Sequence, residues 1–107
     1  MPVLLVQCSV PDADTADAVA QALVGERLAA CVQRLPGVQS TYRWQGRVER
    51  NDEVVLLIKT TTQRLAALIA RVQALHPYEL PEVIAVEASG GFAPYLDWVD
   101  EQTRDHD

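Results

Sequence analysis

The residues with the greatest chemical potential lie in one short stretch between a helix-like pattern and a strand-like run. Residues 76–82 read His-Pro-Tyr-Glu-Leu-Pro-Glu and include one of the two histidines in the 107-residue chain. His76 is the only credible general base in the physiological pH range, because His106 falls in a polar tail at residues 100–107 that we expect to fray. The sequence contains no HExxH, CxxC or G-x-S-x-G motif and no glycine-rich phosphate loop. We therefore predict no enzyme activity.

A metal site is the best-motivated chemistry for these residues. Cys8 lies near the end of a predicted central strand, and a thiolate with an imidazole suits a soft or borderline metal such as copper or zinc. His76, Glu79 and Glu82 could join Cys8 in space, although their spacing matches no standard metal motif. The alternative is structural, with Cys8 a small buried apolar side chain and His76 at a helix C-terminus, where a cation is favoured. On residue types alone we favour this alternative.

A second candidate surface is the predicted hairpin that contains Tyr42 and Trp44. These aromatic residues alternate on one face of a strand, close to the turn. They could stack on a ligand, but large aromatics on a projecting hairpin more often anchor a subunit interface, which is the interpretation we prefer. Arg43, Arg47 and Arg50 surround the same hairpin and either clamp a small anionic metabolite or protect an edge strand with charge.

The elements that must position these residues follow from apolar periodicity and breaker residues. They are a strand at 3–10, a helix capped by Asp12 or Asp14, a strand at 30–44 bent at Pro36, a returning strand from Arg47 to Lys59, a helix capped by Thr61 or Thr62, a strand at 82–87 and a helix starting near Pro94. Gln45 and Gly46 form a two-residue turn candidate. The β-α-β-β-α-β order predicts a single domain over residues 1–107 with a ferredoxin-like α+β fold. Both main helices would cover one face of an antiparallel sheet, and a short C-terminal helix would follow.

The other face of the sheet is also predicted to be apolar. Residues 54–58 and 83–86 are apolar at every position, whereas a strand with one wet face should alternate apolar and polar residues. The last helix is too small to cover this face alone. We therefore predict an obligate oligomer, the alternative being a monomer with that helix folded across the face.

Composition limits the classes of partner. The net charge is −6, and the only cations are Lys59 and eight dispersed arginines, so we expect no nucleic-acid partner. No apolar run approaches the roughly 20 residues of a membrane span, and no targeting segment is visible, so we expect a cytoplasmic protein without a membrane partner. Cys8 and Cys31 would be thiols there. They lie on strands predicted to be about 10 Å apart, beyond disulfide reach.

The sequence resembles the divalent-cation-tolerance proteins of the CutA family from Val3 to Val99. The resemblance is carried, in order along the chain, by residues 26–32, 36–38, 42–46, 57–60, 76–78, 81–82 and 95–98. It implies a homotrimer of ferredoxin-like subunits, similar in architecture to the PII signalling proteins.

The resemblance also implies a link to copper and other divalent cations, with proposed ligands that map onto Cys8 and His76. Leu75 stands where some members have a second histidine and cannot coordinate a metal, so Glu82 or a neighbouring subunit would have to complete the shell. The expected protein is a non-catalytic trimer that responds to divalent metal or binds it weakly, without an organic cofactor. The alternatives are a PII-like sensor of a small anionic metabolite between subunits, or a trimeric interaction scaffold.

Overall fold

The computed structural model describes residues 2–104, so the predicted fraying of residues 105–107, with His106, lies outside it. The elements are β1 (Val3–Val10), α1 (Ala13–Gly25), β2 (Cys31–Trp44), β3 (Arg47–Thr61), α2 (Leu65–Leu75), β4 (Val83–Glu87) and α3 (Ala93–Gln102). Within that range, no helix has the length and apolar character needed to cross a bilayer.

The four strands form one antiparallel sheet in the order β2-β3-β1-β4. The predicted β-α-β-β-α-β topology is confirmed, with β2 at one edge and the β2–β3 hairpin formed as expected. Both α1 and α2 pack on the same side of the sheet. Val6, Leu56 and Ile58 of the sheet share one buried cluster there with Leu23 of α1 and Leu68 of α2.

Of the two predicted helix N-caps, that of α1 is confirmed and that of α2 is wrong. The Asp12 cap of α1 is confirmed, because its carboxylate accepts from the Thr15 N–H at 2.8 Å. The predicted threonine cap of α2 is wrong: a 3₁₀ turn at Thr62–Arg64 leads into α2 without a side-chain cap. The Thr61 hydroxyl lies instead 3.4 Å from that of Thr103, because Thr61 is buried beneath α3.

The prediction that the tail frays from residue 100 onwards is wrong for the residues that the structure describes. Helix α3 continues to Gln102, and Thr103 is buried. The Thr103 hydroxyl donates to the Val99 carbonyl at 2.9 Å. Packing of Val99 against Val3 and Ala30 holds this helix end on the sheet.

The predicted bend in β2 is a β-bulge. Leu35 pairs with Val55 and Val38 pairs with Glu53, so Pro36 and Gly37 together stand opposite a single residue of β3. Gly37 has φ +77°, which a residue without Cβ adopts at little cost. Because one extra residue is inserted, the face that carries odd-numbered residues before the bulge carries even-numbered residues after it.

The bulge places the two aromatic residues of the hairpin on the side of the sheet away from α1 and α2. Tyr42 and Trp44 share a face with Leu35. Beyond them the chain reverses at Gln45 and Gly46, whose φ angles of +50° and +79° suit a type I′ turn. The predicted two-residue turn is confirmed.

The side of the sheet opposite α1 and α2, here named the open face, is apolar and largely uncovered in the subunit. Its clearest members are Leu5, Leu35, Ile84 and Val86, with Leu5 37% exposed and Ile84 58% exposed. Helix α3 covers only the end of this face near Val3. The open face therefore has the character that led us to predict an oligomer, and the assembly itself stays a prediction.

Candidate functional site

His76 ends α2 because the proline that follows disfavours helical backbone at the residue before it. The residue is 7% exposed, and both ring nitrogens are hydrogen-bonded. Nε2 lies 2.7 Å from the Ser9 carbonyl oxygen, and Nδ1 accepts from the Tyr78 N–H at 3.1 Å. A carbonyl oxygen can only accept, so Nε2 carries the proton and Nδ1 presents its lone pair to Tyr78. In this arrangement neither ring nitrogen has a free lone pair for a metal.

Cys8 is fully buried among the side chains between the sheet and the helices. Burial, together with the smaller effect of the charges of Glu82 and Glu53, raises the pKa of the Cys8 thiol to about 12. The group is therefore a thiol at neutral pH. Metal ligation requires a thiolate, so this side chain would have to lose its proton and gain access before it could bind a metal.

Glu82 lies just before β4 and points to the opposite side of the sheet from Cys8. Its carboxylate accepts from the Gln7 side-chain amide at 3.1 Å, and adjacent residues of β1 face opposite sides. Across residues 2–104, no three His, Cys, Asp or Glu side chains are arranged to hold a metal ion. The subunit thus places Cys8, His76 and Glu82 in one region without forming a metal centre, and their role as ligands stays a prediction.

A cleft of about 770 Å³ lies at the foot of the hairpin, where β1 ends and β4 begins. One wall is the hairpin face that carries Tyr42 and Trp44, and the other is the segment 77–82. The Tyr42 hydroxyl is hydrogen-bonded to the Asn51 side-chain amide. Both aromatic residues remain about one-third exposed. Their predicted place in a subunit interface stays a prediction, and they line the cleft as well.

The floor of the cleft contains Glu53, a residue that the sequence analysis did not single out. Glu53 is only 7% exposed, and its Oε2 accepts from the Tyr78 hydroxyl at 3.0 Å. Burial and this hydrogen bond raise the pKa of Tyr78 to about 12. In the sequence, the only indication of its role is that a carboxylate directly precedes the apolar run 54–58. Its hydrogen-bond partner could not be predicted, because Tyr78 lies 25 residues further along the chain.

The segment 76–82 is thus held to the sheet at both of its ends. His76 bonds to Ser9 on β1, Tyr78 bonds to Glu53 on β3, and Glu82 bonds to Gln7 on β1. The rings of His76 and Tyr78 also pack with their centroids 4.7 Å apart. This set of contacts fixes the wall of the cleft that faces the hairpin.

The charges that line the cleft are mainly negative. Glu53, Glu79 and Glu82 contribute three carboxylates, whereas Arg43 is the only basic residue among the residues lining it. Arg47 and Arg50 do not line it. The cleft therefore suits a cationic ligand better than an anionic one.

The topology, the long hairpin and the acidic cleft define a ferredoxin-like α+β protein with a ligand-sized site at the foot of the hairpin. Residues 4–102 match the family model described as "CutA1 divalent ion tolerance protein", and the chain belongs to this family. The resemblance predicted from the sequence is thereby confirmed.

Individual members of known CutA proteins are similar to this chain over most of its length. "Divalent-cation tolerance protein CutA" of Thermus thermophilus is 50% identical over 99 residues, which span 92% of this chain and 96% of that protein. The crystal structure of CutA from Xylella fastidiosa has a TM-score of 0.93 at 49% identity, covering 95% of this chain and 98% of that one. "Protein CutA, chloroplastic" of Arabidopsis thaliana is 40% identical over 97% of this chain, which spans only 57% of that protein.

Proposed function

We propose that this protein is a homotrimeric, non-catalytic divalent-cation tolerance protein that responds to divalent metal ions and binds copper or another divalent cation weakly. Membership of the CutA1 family supports the tolerance role. The observation that carries the proposal is the acidic cleft at the foot of the hairpin, where three carboxylates and one arginine leave excess negative charge.

The proposed assembly is supported by the open face. Leu5, Ile84 and Val86 are exposed beside one another on two paired strands, and the bulge adds Tyr42 and Trp44 to the same side of the sheet. Contiguous apolar patches of this kind mark interaction surfaces. The resemblance supplies the number three.

Weak binding follows from the state of the candidate ligands. The two nitrogens of His76 are occupied by Ser9 and Tyr78, and Cys8 is a buried thiol. A copper or zinc ion would have to displace these interactions, which lowers its net affinity. Glu82 is exposed and is the one predicted ligand open to a cation without rearrangement of the core.

Calorimetric titration with Cu(II) and Zn(II) tests the proposal, combined with light scattering for the assembly. We expect a trimer that binds metal weakly, in the micromolar range or above. The variants Cys8→Ser and His76→Ala assign the ligands, because binding that survives both substitutions excludes both residues. A folded monomer, or no heat from either metal at millimolar concentration, would contradict the proposal.

A sensor of a small anionic metabolite is the rival function. The arginines near the hairpin support it, but the carboxylates lining the cleft repel an anion. Titration with nucleotides in the same buffer distinguishes the two, since the rival requires nucleotide or similar anion binding that metal ions do not reproduce.

A further inference from the structure

Lys59 is a positive charge in the four-stranded part of the open face without an anionic partner in residues 2–104. It lies between Cys31 of β2 and Leu5 of β1, its neighbours on the paired strands. Its ammonium group donates to the neutral side-chain oxygen of Gln33, and none of the ion pairs in the described range includes it. Lysine is almost never fully buried unless it is paired. A copy that covers the open face would therefore leave a costly unpaired charge unless it brings a carboxylate to this position.

The hairpin carries a carboxylate on the side that the two aromatic residues occupy. Glu49 pairs with Tyr42 across the strands, so both side chains lie on one side of the sheet. No residue in the described part of the chain forms an ion pair with Glu49. Arg47 shares this side, but it pairs with Trp44 at the tip, about 7 Å further out along β3. The hairpin thus presents a carboxylate beside aromatic rings, which complements an ammonium group among apolar side chains.

The hairpin cannot bring Glu49 to Lys59 within one subunit. The two residues are ten positions apart on the same strand, which separates them by about 34 Å. A second copy can provide the contact, because the hairpin and the open face match in length. The hairpin extends roughly 23 Å beyond the last pairing of β1 with β3, and the eight residues of β1 span about 27 Å. One hairpin can therefore lie along the open face of another copy.

A contact between a hairpin and an open face joins two different surfaces. Each copy has one of each, so the same contact can repeat from copy to copy and close into a ring. In the proposed trimer, three hairpins would cover three open faces. The contact therefore agrees with a cyclic assembly.

We propose that, in the assembly, the hairpin of one copy docks on the open face of the next and places Glu49 on Lys59. Tyr42 and Trp44 then pack against the apolar side chains of that face. This contact rests on the proposed assembly, for which it supplies the two surfaces and an ion pair. The occupant of the open face is thus a second copy of this chain and not a different protein.

Carbodiimide coupling tests the contact in the wild-type protein, because it joins an amine to a carboxylate only where the two groups meet. Lys59 is the only lysine of the chain. We expect mass spectrometry of the digested product to find an amide bond between Lys59 and Glu49. Because these residues are too far apart within one copy, that bond must join two copies. An assembled protein in which Lys59 couples to another carboxylate, or to none, would overturn the proposal.

Charge reversal tests the ion pair through the strength of the assembly. Lys59→Glu and Glu49→Lys should each raise the dissociation constant of the assembly at least about tenfold, because like charges then face each other. The double variant Lys59→Glu/Glu49→Lys restores opposite charges and should recover most of this loss. The control is Asp14→Lys on α1, the other side of the molecule, which should change the constant by less than about twofold. A double variant that assembles no better than the weaker single variant would exclude the pair.

Light scattering on the wild type separates failure of this contact from failure of the proposed assembly. A folded wild-type monomer would contradict the trimer and the contact together. A wild-type trimer without coupling of Lys59 to Glu49, and without recovery in the double variant, would overturn the contact alone. Circular dichroism of each variant checks that the subunit is folded, so that unfolding is not mistaken for loss of the interface.

Discussion

At the scale of single residues, His76 acts first as a connector of backbone segments. Its ring joins the Ser9 carbonyl on β1 to the N–H of Tyr78 in the segment that leads to β4. The sequence predicted that His76 ends a helix, because Pro77 follows it. It did not predict that both ring nitrogens are used, since Ser9 is 67 residues away and its approach depends on the whole sheet.

The structural role of His76 predicts a loss of stability that does not require metal. In buffer with EDTA, His76→Ala should lower the free energy of unfolding by about 1–3 kcal/mol, because a buried carbonyl and a backbone N–H lose their partner. Urea denaturation measures this. Glu79→Ala, an exposed change in the same segment, is the control and should have little effect. An unchanged urea midpoint for His76→Ala would show that these hydrogen bonds contribute nothing.

The buried thiol of Cys8 predicts a stability that falls in alkaline solution. Its pKa rises from 9.0 to about 12 in the folded protein, so the folded state holds this proton more tightly than the unfolded chain does. The stabilisation is complete below pH 9 and is lost as the pH rises towards 12, by up to about 1.4 kcal/mol per pH unit.

Comparison with Cys8→Ala isolates this contribution, because the variant lacks the titrating group. Unfolding free energies measured from pH 8 to pH 11 should show the wild type losing its advantage over Cys8→Ala above pH 9. Tyr78, whose pKa is also raised to about 12, is present in both proteins and cancels in the difference. A constant difference across this range would mean that the thiol titrates equally in the folded and unfolded states.

At the scale of elements, the bulge in β2 determines which side chains of the hairpin lie on each side of the sheet. The sequence predicted a bend at Pro36, because proline cannot donate to the ladder. It did not predict which side of the sheet receives Tyr42 and Trp44, since that depends on how many residues the bulge inserts. The predicted cap of α2 is wrong for a related reason. Thr61 is a residue type that can cap a helix, but its hydroxyl lies against that of Thr103, which directly follows α3.

Deletion of Gly37 should remove the bulge and leave the faces of the outer hairpin unchanged. Pro36 would then stand alone opposite Val54, and the pairs from Val38–Glu53 to Trp44–Arg47 keep their register, so Tyr42 and Trp44 stay on the open face. We expect light scattering to show an intact assembly. Trp44→Ala, which removes one aromatic ring from that face, should weaken the assembly. An unchanged mass for Trp44→Ala would separate the aromatic pair from the interface.

At the scale of the whole molecule, the most prominent feature is the exposed apolar surface of the open face. The unbroken apolar runs in β3 and β4 allowed this feature to be predicted, because periodicity alone reveals a strand without a polar face. The charge of the cleft was harder to predict from the sequence, because the residues that line it come from four separate parts of the chain. Topology, not local pattern, brings the hairpin against the segment 76–82.

Ile84→Asp should convert the assembly into smaller species that remain folded. Ile84 is 58% exposed within the subunit, so the charge is tolerated there, whereas burial against another copy would cost several kcal/mol. Light scattering with circular dichroism measures both properties. Val24→Asp provides the control at an exposed apolar position on α1, the other side of the molecule. Equal masses for Ile84→Asp and the wild type would indicate that this part of the open face is not buried by assembly.

The length of the hairpin also has a consequence for local opening. Seven residue pairs, from Val38–Glu53 to Trp44–Arg47, extend beyond the last pairing of β1 with β3, a projection of roughly 23 Å. A two-stranded ribbon is marginal in water by itself. Amides in this projection should therefore exchange with deuterium much faster than those of β1 in a separated subunit. In the assembled protein they should be protected, which makes the hairpin a built-in reporter of subunit association.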